Sequence, residues 1–149
     1  MNKITLNNQN GFTLIEVLIG ITVFAIGILA LTIMQVGAVK GNSSAGNLTE
    51  ASAIGQDRLE DLLGLDYMDA NLDDDDLDGT AGLNDATAGT ADGTDTYTST
   101  TGVNYNIFWN IAVDPPTFTD TKAIRVFVIW NEQGRLRTVT FDSLKNIDT

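Results

Sequence analysis

The stretch Gly11-Phe12-Thr13-Leu14-Ile15-Glu16-Val17-Leu18-Ile19-Gly20 decides the fold, because it opens an apolar run that reaches Met34 and carries one carboxylate inside it. An ionised side chain within a membrane-length segment costs about 3 kcal/mol on insertion scales, so Glu16 calls for a partner, best sought in another copy of the chain. From Val17 to Met34 the run is interrupted only by Thr22 and Thr32 among polar types and contains no proline. At about 1.5 Å per residue it nearly crosses a hydrocarbon core. Gly20 and Gly27 fall on one helical face, where they either let helix backbones approach closely or only loosen the helix.

With those residues in view, Gly11 followed by Phe12-Thr13-Leu14-Ile15-Glu16 resembles the processing site of type IV prepilins and type II secretion pseudopilins. The resemblance implies a leader over residues 1–11, cut after Gly11 by a membrane prepilin peptidase, and N-methylation of Phe12. It also implies that Glu16 serves assembly with other pilin subunits through the N-terminal helix. The chain would be a single-pass protein of the bacterial inner membrane before assembly, then part of an extracellular pilus or a periplasmic pseudopilus. An ordinary secretory peptide carries its apolar stretch before the cut, whereas here it follows Gly11 and stays in the product. A plain signal anchor with Glu16 at the bilayer edge is the alternative reading of the same residues.

About 110 residues remain once a membrane-length helix is set aside, enough for one modest core. There is no cysteine, so no disulfide framework, and the distal part must be held some other way. Net charge is −12, and removal of the leader takes away Lys3 as well. Such an acidic chain argues against binding nucleic acid or an anionic lipid surface through net charge. From Leu59 to Thr121 there is no Lys or Arg, while ten aspartates crowd Asp66 to Asp95. A segment of that composition is a solvated loop unless something cationic orders it.

Beyond Gln35 the helix becomes amphipathic, with Ala45, Leu48, Ala51, Ser52, Gly55, Leu59 and Leu62 on an apolar stripe and Asn47, Glu50, Asp57 and Asp61 opposite. Gly41-Asn42-Ser43-Ser44 is its weakest place, where curvature or local melting is expected. Leu62-Leu63-Gly64-Leu65 reads as a C-terminal cap with a left-handed glycine. Residues 103–142 read as antiparallel sheet. Val103 to Val113 alternates, with one face buried and one wet, until Asp114-Pro115-Pro116 ends it. Ile124, Val126, Val128 and Trp130 form a second row, Val139 and Phe141 a third after the Asn131-Glu132-Gln133-Gly134 turn, and Trp109 and Trp130 are core.

The expected organisation is therefore α+β and pilin-like. A leader (1–11) precedes a hydrophobic transmembrane or filament-core helix (12–40), and a globular domain follows (41–149). That domain has the helix to about residue 63, an acidic loop over 66–102 and a sheet over 103–142. The hydrophobic half of the helix protrudes and the amphipathic half packs on the sheet. Lys122 to Trp130, Gly27-Ile28-Leu29-Ala30-Leu31 and a helix without proline look most like the PilV type of minor pilin. A minor pseudopilin of type II secretion is the alternative. A membrane-anchored binding module is a third, and needs neither Glu16 nor a cut at Gly11.

One other constellation carries chemistry. Asp74, Asp76, Asp78, Gly79, Thr80 and Asp85 fall on the first, third, fifth, sixth, seventh and twelfth places of a calcium loop, with Asp in place of the usual final Glu. Alternate carboxylates converge on one cation and the glycine permits the sharp turn. Calcium is thus a possible ligand, not a required one, and the alternative is a solvated acidic loop. With neither His nor Cys, the usual base, thiol nucleophile and imidazole ligand are missing, so a structural role is expected and not an enzyme.

Overall fold

A computed structural model describes residues 11–147. The chain divides into two compact units, Met1–Asn42 and Ser43–Thr149, and one helix, α1 (Leu14–Gly64), has residues in both. The expected leader, residues 1–10 of it at least, lies outside the described residues. In the first unit the described residues are all exposed, including Phe24 at 68% and Ile26 at 63%. Thr22 and Thr32 turn their hydroxyls back onto the carbonyls of Leu18 and Ile28, which lets a polar side chain sit in an apolar helix without an open donor.

In the second unit a sheet of four antiparallel strands, β1 (Gly93–Thr98), β2 (Asn104–Val113), β3 (Thr121–Glu132) and β4 (Arg135–Asn146), is ordered as a meander β1-β2-β3-β4. One face takes the α1 segment from Ser44 to Leu62. The core there is Ala51, Leu62, Tyr105, Ile107, Trp109, Ile111, Ile124, Val126, Val128 and Trp130, joined by Leu72. Both tryptophans are buried, as expected. Gly55 lets helix and sheet approach closely: a Cβ there would overlap the Phe141 ring and meet Val128 at 3.1 Å. Gln133 (φ 51°) and Gly134 (φ 81°) both take left-handed backbone, which matches the twist a tight hairpin needs between β3 and β4.

Several details differ from expectation. Gly41-Asn42-Ser43-Ser44 is helical throughout, without melting. The side chain of Ser44 donates to Glu132 Oε2 at 3.0 Å, and tertiary contact of this kind outweighs weak propensity. The buried stripe is rotated in its first turns, since Ala45 and Leu48 are exposed while Asn47 and Glu50 face the sheet. Those polar groups turn inward because partners meet them. Asn47 Nδ2 donates to Glu132, and Glu50 accepts from Tyr105 Oη (3.2 Å) and Ser99 Oγ (2.9 Å). Gly64 is not in the left-handed region, and the helix closes instead with Leu65 N–H on the Leu62 carbonyl. A fourth strand, β1, lies inside the expected loop. From Ile107 to Ala112 both faces of β2 are buried, Asn110 included, so the wet face ends halfway. The reason is that segment 82–92 lies over it: Asn110 Nδ2 donates to the Asp85 carbonyl and Asn110 Oδ1 accepts from Asp92 N–H.

Two lysines do the fastening that cysteines would do elsewhere. Lys122 and Lys145 are cross-strand partners on β3 and β4, and both are buried. Lys145 Nζ donates to the Leu63 carbonyl at 2.6 Å, where a cation meets the negative end of the helix dipole. Lys122 Nζ lies 3.4 Å from Asp73 Oδ1 and 4.8 Å from the centre of the Tyr67 ring. Together they hold the chain as it leaves α1.

Candidate functional site

At the start of α1, residues 11–13 are not helical and are exposed, so the Gly11–Phe12 peptide bond lies in accessible, irregular chain. Phe12 is 85% exposed. Thr13 and Glu16 then form a reciprocal cap. Glu16 N–H donates to Thr13 Oγ1 (3.3 Å), and Glu16 Oε2 accepts from Thr13 N–H (3.5 Å) and Thr13 Oγ1 (3.4 Å). A Thr-x-x-Glu box satisfies two of the amides a helix leaves open at its N-terminus and sets a carboxylate against the positive end of the dipole. Its signal was present in the sequence, and it supplies a local partner where only an external one was sought. The bonds are long. The carboxylate is exposed and remains available to a stronger donor.

In the acidic segment the structure brings Asp74, Asp76 and Asp78 together, with one carboxylate oxygen from each within 4.8 Å of the others. The turn that gathers them is left-handed at Leu77 (φ 59°) and Gly79 (φ 61°), with Asp78 N–H and Gly79 N–H both donating to Asp74. Thr80 is exposed in the turn that follows. Asp85 is half-buried and outside that close group. Its charge nonetheless reaches Asp78: partial desolvation by the surrounding turn first, then Asp76, Asp74 and Asp85, push this exposed carboxyl above its ordinary range.

Sequence reasoning missed Asp92, which orders this segment. Its carboxylate accepts from Ile111 N–H at 2.7 Å and from Asp75 N–H at 2.9 Å, tying the acidic segment to β2. Partial burial raises its pKa in spite of those two bonds. Nothing in the pattern distinguished it from nine other aspartates. Nor is the segment free of cations, because the fold returns Arg58 to Asp95 (3.8 Å) and Lys122 to Asp73. Arg125 likewise donates to Asn84 at 2.7 Å. The solvated loop of the composition argument is therefore pinned at several points by groups distant in sequence.

α1 is long and apolar enough over part of its length to cross a membrane, by length and composition. No curated protein and no solved structure matches the chain. One family does match, described as "Prokaryotic N-terminal methylation motif", over residues 6–32, a window that contains Gly11, Phe12, the capping pair and the first turns of α1. A prepilin-type motif at the head of an exposed apolar helix, on a chain whose fold is pilin-like α+β, supports a type IV pilin-like protein anchored in a membrane before it is assembled.

Proposed function

We propose that this chain is a structural subunit of a type IV pilus, a minor pilin of the PilV type, cut after Gly11 by prepilin peptidase and methylated on Phe12. The observation that carries the proposal is the exposed apolar face of the first unit, from Phe12 to Val39, in which Glu16 is the one ionisable side chain. An all-round apolar helix is stable only in lipid or among other helices. In the membrane the Thr13–Glu16 cap shelters the carboxylate. In a filament the methylated amino group of a neighbouring Phe12 replaces that cap, and two charges otherwise stranded in an apolar core neutralise each other. The partners are other pilin subunits, the peptidase and the inner membrane, and the role is architectural, not catalytic. A type II secretion minor pseudopilin shares the same helix and motif, so the proposal extends to that class.

The test uses Glu16→Gln beside Glu16→Ala. Glutamine keeps the capping box but not the charge. Both variants are expected to insert and to start at methylated Phe12 by mass spectrometry, yet to be depleted at least tenfold from sheared fibres. Normal recovery of Glu16→Gln with loss of Glu16→Ala would leave Glu16 as a cap only. A chain recovered with its start elsewhere than Phe12 would remove the pilin reading altogether. A calcium role for Asp74, Asp76 and Asp78, with Thr80 and Asp85 completing the loop, is a further part of this proposal, supported by the convergence of the three carboxylates.

A further inference from the structure

The meander leaves two open edges, β1 and β4, and they differ in charge. Beside β1 a groove of about 340 Å³ runs between that strand and α1, lined among others by Glu50, Asp57, Asp61, Asp95, Tyr97 and Arg58. Arg58 is the one cation in it and is already engaged, 4.0 Å over the Trp109 ring and 3.8 Å from Asp95. The groove is thus acidic on balance. At the other edge β4 begins Arg135-Leu136-Arg137, exposed throughout, with Leu136 at 74%. In so acidic a chain this is the densest cationic stretch, and Arg137, whose Nε lies 3.1 Å from Glu132 Oε2 on β3, would share or exchange that pair on docking.

The two edges also agree in face. Cross-strand partners share a face, and the row Tyr97, Tyr105, Trp130, Arg137 runs across all four strands on the side that packs on α1. Asp95, Ile107, Val128 and Val139 form the next row on that side. Arg135, two residues before Arg137, lies there too. In a meander of this order β1 and β4 run in opposite directions, so two copies held in the same orientation meet edge to edge as an antiparallel pair. Faces are preserved only by a slide of an even number of residues. A slide of two, about 7 Å, sets Arg137 against Asp95 and Arg135 over Tyr97, which is 43% exposed.

We propose that the β4 edge of a second copy of this chain docks on the β1 edge of the first, extending the sheet and placing Arg135 and Arg137 in the acidic groove. The contact is heterologous, using a different patch on each copy, so it propagates and does not close on itself. It is small, and weak between free molecules; it becomes effective where copies are concentrated side by side. It uses only residues of the second unit and stands whether or not Glu16 serves assembly.

The absence of native cysteine makes the test direct. Two full-length chains with different tags, one carrying Thr96→Cys and the other Leu136→Cys, are mixed in detergent micelles and mildly oxidised. The proposed register puts these exposed positions opposite each other on the outer face. The mixed dimer is expected at least fivefold above either homodimer, with a yield that falls as salt rises. Asp95→Arg in the Thr96→Cys chain lowers the yield severalfold, and Arg137→Asp in the Leu136→Cys chain restores it. Asp57→Lys, which leaves the Arg58–Asp95 pair intact, does the same should Asp95→Arg perturb folding, as thermal melting would reveal. Mixed and self dimers in equal yield, or a yield indifferent to both charge reversals, overturns the proposal. The same yield is expected in a Glu16→Gln background, so failure here and failure of the pilin reading are read separately.

Discussion

Two isoleucines with the same side chain have opposite environments: Ile26, in the first unit, is 63% exposed, and Ile111, on β2, is 1% exposed. Around Ile26 the helical neighbours are apolar except Thr22, whose hydroxyl is turned back onto the Leu18 carbonyl, so turning the side chain meets more of the same. Around Ile111 the large side chains recur at every second residue, and its cross-strand partner Ile124 and its strand neighbour Trp109 join it in one core. The difference teaches that amount of apolar surface does not decide burial within a chain; patterning does. Periodic apolar residues find a face to cover, while a continuous run requires another solvent, lipid or a neighbouring helix, to supply the stabilisation of about 25 cal/mol per Å².

The sharpest way to break the comparison is to shorten both residues. Ile111→Ala leaves a hole in a packed interior and is expected to cost about 2–5 kcal/mol of the second unit's stability. Ile26→Ala is expected to change that stability by less than about 0.5 kcal/mol, since Ile26 is an exposed residue of the first unit. Both tryptophans lie in the second unit, so denaturant melts of the full chain in detergent, followed by tryptophan fluorescence, report it alone. A large loss for Ile26→Ala would mean that the two units fold as one.

The glycines sharpen the same contrast with opposite signs. At Gly55 a methyl overlaps the Phe141 ring, so Gly55→Ala is expected to cost about 1–3 kcal/mol through overpacking, more than it gains in helix propensity. At Gly27 nothing lies within 4 Å, so Gly27→Ala is expected to stiffen the isolated helix by up to about 1 kcal/mol. Helicity in micelles by circular dichroism measures the second, and the fluorescence melt the first. If Gly27→Ala chains are helical in micelles but poorly recovered in fibres, the Gly20–Gly27 face serves helix packing and does not merely loosen the helix.

What the sequence made legible follows from range. The apolar helix, the existence of β2, β3 and β4, the hairpin turn and the buried tryptophans depend on local period and turn chemistry and stand as expected, whereas the wet face of β2 ends at Ile107 because segment 82–92 covers it. β1 was hidden because Gly93-Thr94-Asp95-Thr96-Tyr97-Thr98 has no apolar alternation: it is an edge strand whose outer surface stays wet, so no hydrophobic signal marks it. The rotated stripe was hidden because Asn47 and Glu50 turn inward only to meet Tyr105, Ser99 and Glu132, partners 49 to 85 residues away. The start of α1 was partly legible. Gly11, Phe12 and Glu16 stand out by type and spacing, while the Thr13 cap is written in the same residues as a Thr-x-x-Glu box that satisfies open amides.

The smallest effect concerns the acidic turn, where an exposed cluster is compared with the buried core that ignores it. Without metal, partial desolvation in the turn and its acidic neighbours raise the Asp78 pKa, so the folded state holds that proton more tightly than the unfolded state. A raised carboxyl contributes stability that is fully present below the unfolded pKa, about 3.9, and is lost as pH rises through the folded value. In chelator, therefore, Asp78→Asn is expected to melt slightly above wild type at pH 7, with the gap closing as pH falls toward 4. In calcium the order is expected to reverse, because a bound cation would supply the missing positive charge. At tenfold over its dissociation constant it is expected to raise the wild-type midpoint on the order of 5 °C, with magnesium doing less because it dehydrates reluctantly. Asp78→Asn and Asp76→Asn remove that gain. Differential scanning fluorimetry of the full chain in detergent at pH 4 and pH 7, in chelator, magnesium and calcium, separates the two effects. Identical wild-type midpoints in calcium and in chelator would leave Asp74, Asp76 and Asp78 as mutually repelling side chains held together by the turn at Gly79 alone.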